Sequence, residues 1–321
     1  MEVVVESAEL GTLPPATLLR LQSEASQLRH LDNPYLAPAL DVGWEARRTY
    51  VVLPRVPLGT LAGRLRSDGP LALTETLGLG RCVLSALCSM HRHGVVHTAI
   101  RPDHVFLGPP RDGTAVLGGF GIARVAQFVG SASDEPITVL RYLSPEQAGL
   151  TAREVDERSD LYSTGLLLFE SLSGRPAFVA DNASGLLRQH LSRRAPTIRA
   201  LGIGVPRIID EFLQRLLRKD PTDRYQSSGA ALDDLEEISS ALARGEAEPT
   251  VALGSTDCRT SLTQPVLVGR EEELGALESH VGRAKVGRAG LVLLEGQSGA
   301  GKTRLLDELA LRSAVSGLSV F

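Results

Sequence analysis

Gly296, Gln297, Ser298, Gly299, Ala300, Gly301, Lys302 and Thr303 follow the spacing G-x-x-x-x-G-K-[ST]. The residue types suit phosphate. Glycines let successive backbone N–H groups turn inward around phosphate oxygens, a lysine reaches the outer phosphates, and the Thr303 hydroxyl can hold Mg²⁺ through a nucleotide. The setting agrees, with an apolar strand expected over 291–295 and a helix opening at Lys302. ATP with Mg²⁺ is the expected ligand. Hydrolysis asks for more, an acidic residue on a later strand and a group that orients water. A second chemistry-bearing stretch is HTAIRPDH, residues 97–104. With His91 just upstream, His97, Asp103 and His104 bring metal-ligating side chains close together in sequence, but no metal site is expected of them.

The elements that must position these residues follow from periodicity. MEVVV at the start and residues 49–56 are β-branched and strand-like. Apolar residues recur at helical spacing through Leu18, Leu21, Ala25 and Leu28, giving a helix over 16–31. A long helix is expected over 73–94, closing at Gly94. Two short strands should flank the turn Pro-Pro-Arg-Asp-Gly, one in 104–108 and one in 114–119. Residues 159–174 are apolar on most faces, as a helix at a domain centre would be. Mostly helical sequence continues to about Arg244 and ends in an acidic amphipathic helix. Residues 245–265 are rich in Gly, Pro, Ser and Thr without periodicity, the composition of a linker.

Composition narrows the class. A chain of 321 residues with 43% hydrophobic and 22% charged residues reads as globular and long enough for about two domains. A net charge of -4 gives no basic face for nucleic acid. There is no apolar run of about 18 residues, so no membrane partner is expected, and the cytoplasm is the expected compartment. Three cysteines without CxxC spacing suggest neither a disulfide framework nor a zinc site, and Cys82 and Cys88 read as core thiols. Only three residues are lysine, Lys219, Lys285 and Lys302.

Ordered motifs over residues 1–244 resemble a bacterial Ser/Thr protein kinase domain. RLQSEASQL is similar to the αC helix, with Glu24 at its ion-pairing position. YVVLPRVPLGTL resembles the hinge, with Leu53 at the gatekeeper. HTAIRPDH resembles the catalytic loop, GFG the metal-binding triplet, YLSPEQ the end of the activation segment, RSDLYSTG the buried central helix, and DPTDRYQ the stretch carrying a late arginine. The resemblance implies an α+β, two-lobed protein-kinase-like fold with a truncated β-rich N-lobe over about 1–55 and a helical C-lobe over 56–244. It implies that Glu146 and Arg224 pair, that Asp160 anchors the catalytic loop, and that Leu28, His97 and Phe120 stack in the core. Residues 266–321 resemble the opening of an AAA-type ATPase module, the first part of an α/β P-loop NTPase domain.

The residues that would move phosphate depart from the family. Ala99 stands at the base position, and His104 and Gly119 stand at the two Mg²⁺ ligands. Imidazole is a poor partner for a hard cation and glycine has no side chain. Glu6, or Val5 if the register slips by one, stands where the family has its phosphate-binding lysine. Thr98 and Val139 replace an arginine and a threonine, the glycine-rich loop is absent, and Phe106 brings a bulkier ring beneath the adenine position. Ser131, Ser133 and Thr138 read as solvated loop hydroxyls rather than phosphosites.

The expectation is therefore a Ser/Thr kinase family member with impaired catalysis, a pseudokinase acting as a regulatory or docking module joined to an ATP-binding module. Its expected partners are ATP and other signalling proteins or further domains of a longer chain. An atypical active kinase, and a P-loop ATPase regulated by the kinase-like region, are the alternatives.

Overall fold

A computed structural model of the chain describes residues 3–9, 15–37, 40–45, 48–54, 59–108, 114–120, 137–149, 153–257, 271–285, 290, 292–294 and 309. The chain divides into two compact units, Met1–Ser261 and Leu262–Phe321.

The first unit begins with an antiparallel sheet of β1 (Val3–Glu9), β2 (Asp41–Glu45) and β3 (Arg48–Pro54) in the order β1-β3-β2. Helix α1 (Pro15–Arg29) lies between β1 and β2 in sequence and buries Glu24, Ala25 and Leu28. The sheet register separates the two residues expected at the lysine position. Val4 pairs with Leu53 and Glu6 with Val51, so position 6 shares the sheet face of Leu53, the expected gatekeeper. Val5 belongs to the opposite face and is 58% exposed. Strand β2 was not expected, because five residues broken by Gly43 carry too little alternation to register.

Residues 31–37 tie this sheet to the helical part that follows. The Asn33 amide donates to the Ser85 carbonyl at 3.1 Å and to Ser89 Oγ at 2.7 Å. Ala37 N–H then donates to the Leu117 carbonyl at 2.8 Å. The dipeptide Asn33-Pro34, legible as a helix stop, is thus a clamp between lobes.

The helical part comprises α2 (Leu61–Asp68), α3 (Leu73–His91), α4 (Ile137–Leu140), α5 (Glu157–Ser173), α6 (Ala183–Ser192), α7 (Arg207–Leu216) and α8 (Ser228–Ala243). A two-stranded antiparallel ribbon, β4 (Val105–Leu107) with β5 (Ala115–Leu117), sits among them. Helix α3 ends at His91, and the expected stop at Gly94 is the left-handed residue of the turn that follows, φ 70°. Helix α5 explains its own sequence. Leu161, Tyr162, Leu166, Leu167, Leu168 and Phe169 are all nearly inaccessible, so the helix is buried on every side. Each such side chain contributes about 1.5–3 kcal/mol over an exposed one. Asp156 caps the start by accepting from Arg158 N–H, and the left-handed Gly174 ends it.

The expected Glu146–Arg224 pair is present and wholly buried. Its two bonds are 2.6 Å and 2.9 Å, in fork geometry. The other Arg224 donors reach the carbonyls of Arg158, Lys219 and Arg218, and Ser159 Oγ donates to Glu146. Burial pushes the Glu146 carboxyl up, but the Arg224 bonds and charge outweigh that and hold it below the usual range.

Residues 245–257 correct the reading of 245–265 as linker. Val251 and Leu253 pack against the core. Asp257 accepts from Arg215 Nη2 at 2.6 Å and from Gln226 N–H at 2.8 Å, while Gly254 N–H donates to Asp234 at 2.6 Å. Composition suggested a free segment because the tail docks mainly through backbone groups and two carboxylates, which leave no periodicity. Only residues after 257 remain as linker by composition.

In the second unit, α9 (Glu271–Lys285) is the one described helix, and Leu277 packs with Leu294 and Leu309. Residues 292–294, within the expected strand, take no regular secondary structure and have no sheet partner among the described residues.

Removing one partner of a buried pair leaves an uncompensated charge. Arg224→Met is expected to lower unfolding free energy by about 3–5 kcal/mol, measured by denaturant unfolding of the full chain.

Candidate functional site

Asp160, on the first turn of α5, is completely buried and accepts three hydrogen bonds. His97 N–H and Thr98 N–H donate at 2.7 Å each, and His91 Nε2 at 2.9 Å. Burial pushes its carboxyl up, but His91 and the backbone donors prevail and keep it below the usual range. His91 is therefore a structural partner of Asp160, not a metal ligand. Its other ring nitrogen meets Ser228 Oγ at 3.1 Å.

This anchor holds a strained residue. Thr98 has φ 63°, the only positive value outside glycine among the described residues. A β-branched residue there costs on the order of 1–3 kcal/mol. Both of its backbone groups are pinned, the N–H to Asp160 and the carbonyl to Gln147 Nε2 at 2.8 Å. Gln147 was not singled out in the sequence, and its only signal is its place directly after Glu146. Next to Thr98, His97 completes the expected stack. Ala99 N–H donates to His97 Nδ1 at 3.2 Å, so Nε2 donates to the Gly118 carbonyl at 3.0 Å. The His97 ring meets Phe120 edge-on, centroids 6.2 Å apart, and Leu28 lies in the same buried cluster.

The metal-ligand positions are filled differently. His104 is 5% exposed. Arg101 Nε donates to His104 Nε2 at 3.1 Å, so Nδ1 carries the proton and donates to the Ala99 carbonyl at 2.7 Å. Both ring nitrogens are in use. Burial, with the Arg101 charge, lowers the imidazole pKa to about 3. Gly119 explains where the ring fits. A Cβ at Gly119 would lie 2.3 Å from His104 Cγ and 2.5 Å from Nδ1, so the imidazole fills the space a side chain at 119 would need. Gly119 also has φ 78°, a conformation glycine adopts freely. The adjoining pair repeats the pattern. A Cβ at Gly118 would meet Phe106 Cε2 at 3.0 Å, and Phe106 bridges to Thr60 within the hinge-like sequence. Two rings, His104 from the short 3-10 turn and Phe106 from β4, thus face two consecutive glycines. Mg²⁺ does not fit these residues: no carboxylate stands at 99, 104 or 119, and the one imidazole has no free lone pair.

The remaining candidates sort as follows. Glu24 is buried at 7% exposure, but Lys219 belongs to the C-lobe, where its amine donates to Tyr162 Oη. Cys82 is buried and Cys88 half-buried, and burial raises both thiols. Thr138 is exposed and Val139 half-buried at α4, while Ser131 and Ser133 lie outside the described residues. The phosphate cradle, Gly296 to Thr303, also lies outside them. Among the described residues, no cluster of three or more His, Cys, Asp or Glu could hold a metal, and no helix is long and apolar enough to cross a membrane.

Residues 13–234 match the family model of the protein kinase domain. The chain belongs to the protein kinase family. Residues 266–319 of this kinase-family chain match the AAA ATPase domain. It is 31% identical over 264 residues to the serine/threonine-protein kinase PknL of Mycobacterium tuberculosis, covering 82% of this chain and 65% of that protein. It is 34% identical over 229 residues to the probable serine/threonine-protein kinase SCO3848 of Streptomyces coelicolor, covering 69% of this chain and 33% of that one. The chain thus spans between a third and two thirds of these relatives. The fold is similar to a crystal structure of Rad53 1-466 in complex with AMP-PNP, with a TM-score of 0.56 and 19% identity, covering 72% of this chain and 57% of that one.

The His104–Gly119 contact yields a coupled prediction. Gly119→Ala should cost about 2–4 kcal/mol of stability by displacing the ring. In a His104→Ala background the same change should cost about 1 kcal/mol, the residual conformational term. Denaturant unfolding of the four chains measures this coupling, and additive effects would contradict the packing described.

Proposed function

We propose that this kinase-family domain is a pseudokinase, a regulatory or docking module attached to an ATP-binding AAA-type module in a signalling protein. The supporting observation is the occupation of the metal-ligand positions by His104 and Gly119, with the ring of one filling the side-chain space of the other. Phosphoryl transfer needs a base or positioning carboxylate, two metal ligands and a phosphate-binding lysine. Here Ala99 offers no base, His104 is neutral and bonded at both nitrogens, and Glu6 is the residue expected at the lysine position. Losing a positioned base alone costs about 10²–10⁴ in rate. The framework residues are all in place, so a stable surface can be presented without turnover. ATP and Mg²⁺ are assigned instead to Gly296–Thr303, where Lys302 would reach the outer phosphates and Thr303 the metal. The partners are ATP and other signalling proteins, and the compartment is cytoplasmic.

The full chain with radiolabelled ATP and Mg²⁺ should transfer no label to itself or to a generic protein substrate. Lys302→Ala should weaken ATP binding at least about tenfold. Transfer that survives Lys302→Ala and is lost on altering Glu6 or His104 would overturn the assignment.

A further inference from the structure

The cleft described above carries no carboxylate at 99, 104 or 119, yet it keeps a cation. Arg101, between Ala99 and His104, commits only Nε, which donates to His104 Nε2 at 3.1 Å. The residue is half-buried, and among the described residues its two Nη groups meet no hydrogen-bond partner and no ion pair. Such a fork of donors fits a phosphate or a carboxylate bidentately. The neighbouring His104 ring is neutral and brings no compensating charge. Thr98, one residue before Ala99, adds a second unmet group. It is 3% exposed with both backbone groups bonded, while its Oγ1 is buried without a partner among the described residues. The carboxylates around this loop form no ion pair with Arg101. Asp103 is exposed and screened by water, and Glu170 accepts from the Tyr142 hydroxyl, with Arg141 acting on both members of that bond.

We infer that this cleft is a recognition site for a phosphorylated side-chain hydroxyl on a partner protein, read by Arg101. The inference deepens the pseudokinase reading and rests on it. In an active kinase the carboxylate at position 99 faces the hydroxyl that is to receive phosphate. A carboxylate there would repel a phosphate already attached, and alanine does not. The same positions that cannot transfer phosphate can therefore hold its product. Phosphate suits the fork better than an Asp or Glu side chain, because it brings a charge of about -1.5 to -2 and three acceptor oxygens. A nucleotide is the poorer occupant. Glu6 is the residue expected where a cation would meet its inner phosphates, and the Phe106 ring closes on Gly118 beneath the expected adenine position.

The test uses the immobilised full chain without ATP or Mg²⁺, and a phosphoserine peptide library with randomised flanks beside the same library unphosphorylated. The phosphorylated library should be retained at least about tenfold more tightly. Arg101→Gln should remove that preference. Ala99→Asp, which leaves Arg101 and the bonds to Asp160 in place, should reduce it at least about tenfold by returning a negative charge, and it decides the matter if Arg101→Gln fails to fold. The preference should persist in Lys302→Ala, which alters the other phosphate site expected on this chain. Equal retention of the two libraries overturns the inference, as does a preference that survives Ala99→Asp or one that disappears with Lys302→Ala. With ATP left out, such a failure leaves the expected lack of label transfer standing, whereas label transfer would remove the pseudokinase reading itself.

Discussion

Asp160 holds the rest of the arrangement in place. A carboxylate with no solvent contact is stable only if donors surround it. This one gathers two consecutive backbone N–H groups of the catalytic loop and a histidine from α3. The loop therefore takes its shape from helix α5. Thr98 is held in a left-handed conformation by the same contacts, with Gln147 closing the other side. From there the constraint passes through Ser159 and Glu146 to Arg224, so the loop, the activation-segment end and the late C-lobe form one polar network around α5.

Such a network is indifferent to what the loop presents. Every bond that Asp160 accepts comes from backbone or from His91, so replacing an aspartate by Ala99 costs the frame nothing. The space around the two glycines is packed. His104, from the short 3-10 turn, and Phe106, from β4, project rings toward Gly119 and Gly118. A carboxylate side chain at 119 would collide with the His104 ring.

The parts legible in the sequence were those fixed by residue type at a motif position. Asp160, Glu146, Arg224, His97 and Phe120 each require one chemistry at one place, and the structure pairs Glu146 with Arg224, surrounds Asp160 with donors and sets His97 against Phe120. Helices α1 and α3 were readable because burial imposes a period, and α5 because it is apolar on most faces. Strand β2, helix α2 and the docked tail 246–257 were not, since they are short or held by backbone bonds that any side chain permits. The fit of His104 to Gly119 was hidden for a different reason. Two substitutions that look like separate losses in one dimension become a single packing solution only when the positions are seen in contact. His91 had no role in the sequence reading and proves to bind Asp160.

The central claim is that His104 closes the metal position as a neutral, doubly bonded imidazole. Side-chain ¹⁵N NMR of His104 in the full chain tests it directly. With a pKa lowered to about 3, Nδ1 should keep its proton and Nε2 its lone-pair signature from pH 7.5 down to pH 5, unchanged by Mg²⁺ and ATP. A His104 ring that protonates near pH 6.5, or whose Nε2 resonance moves when metal and nucleotide are added, would contradict the account.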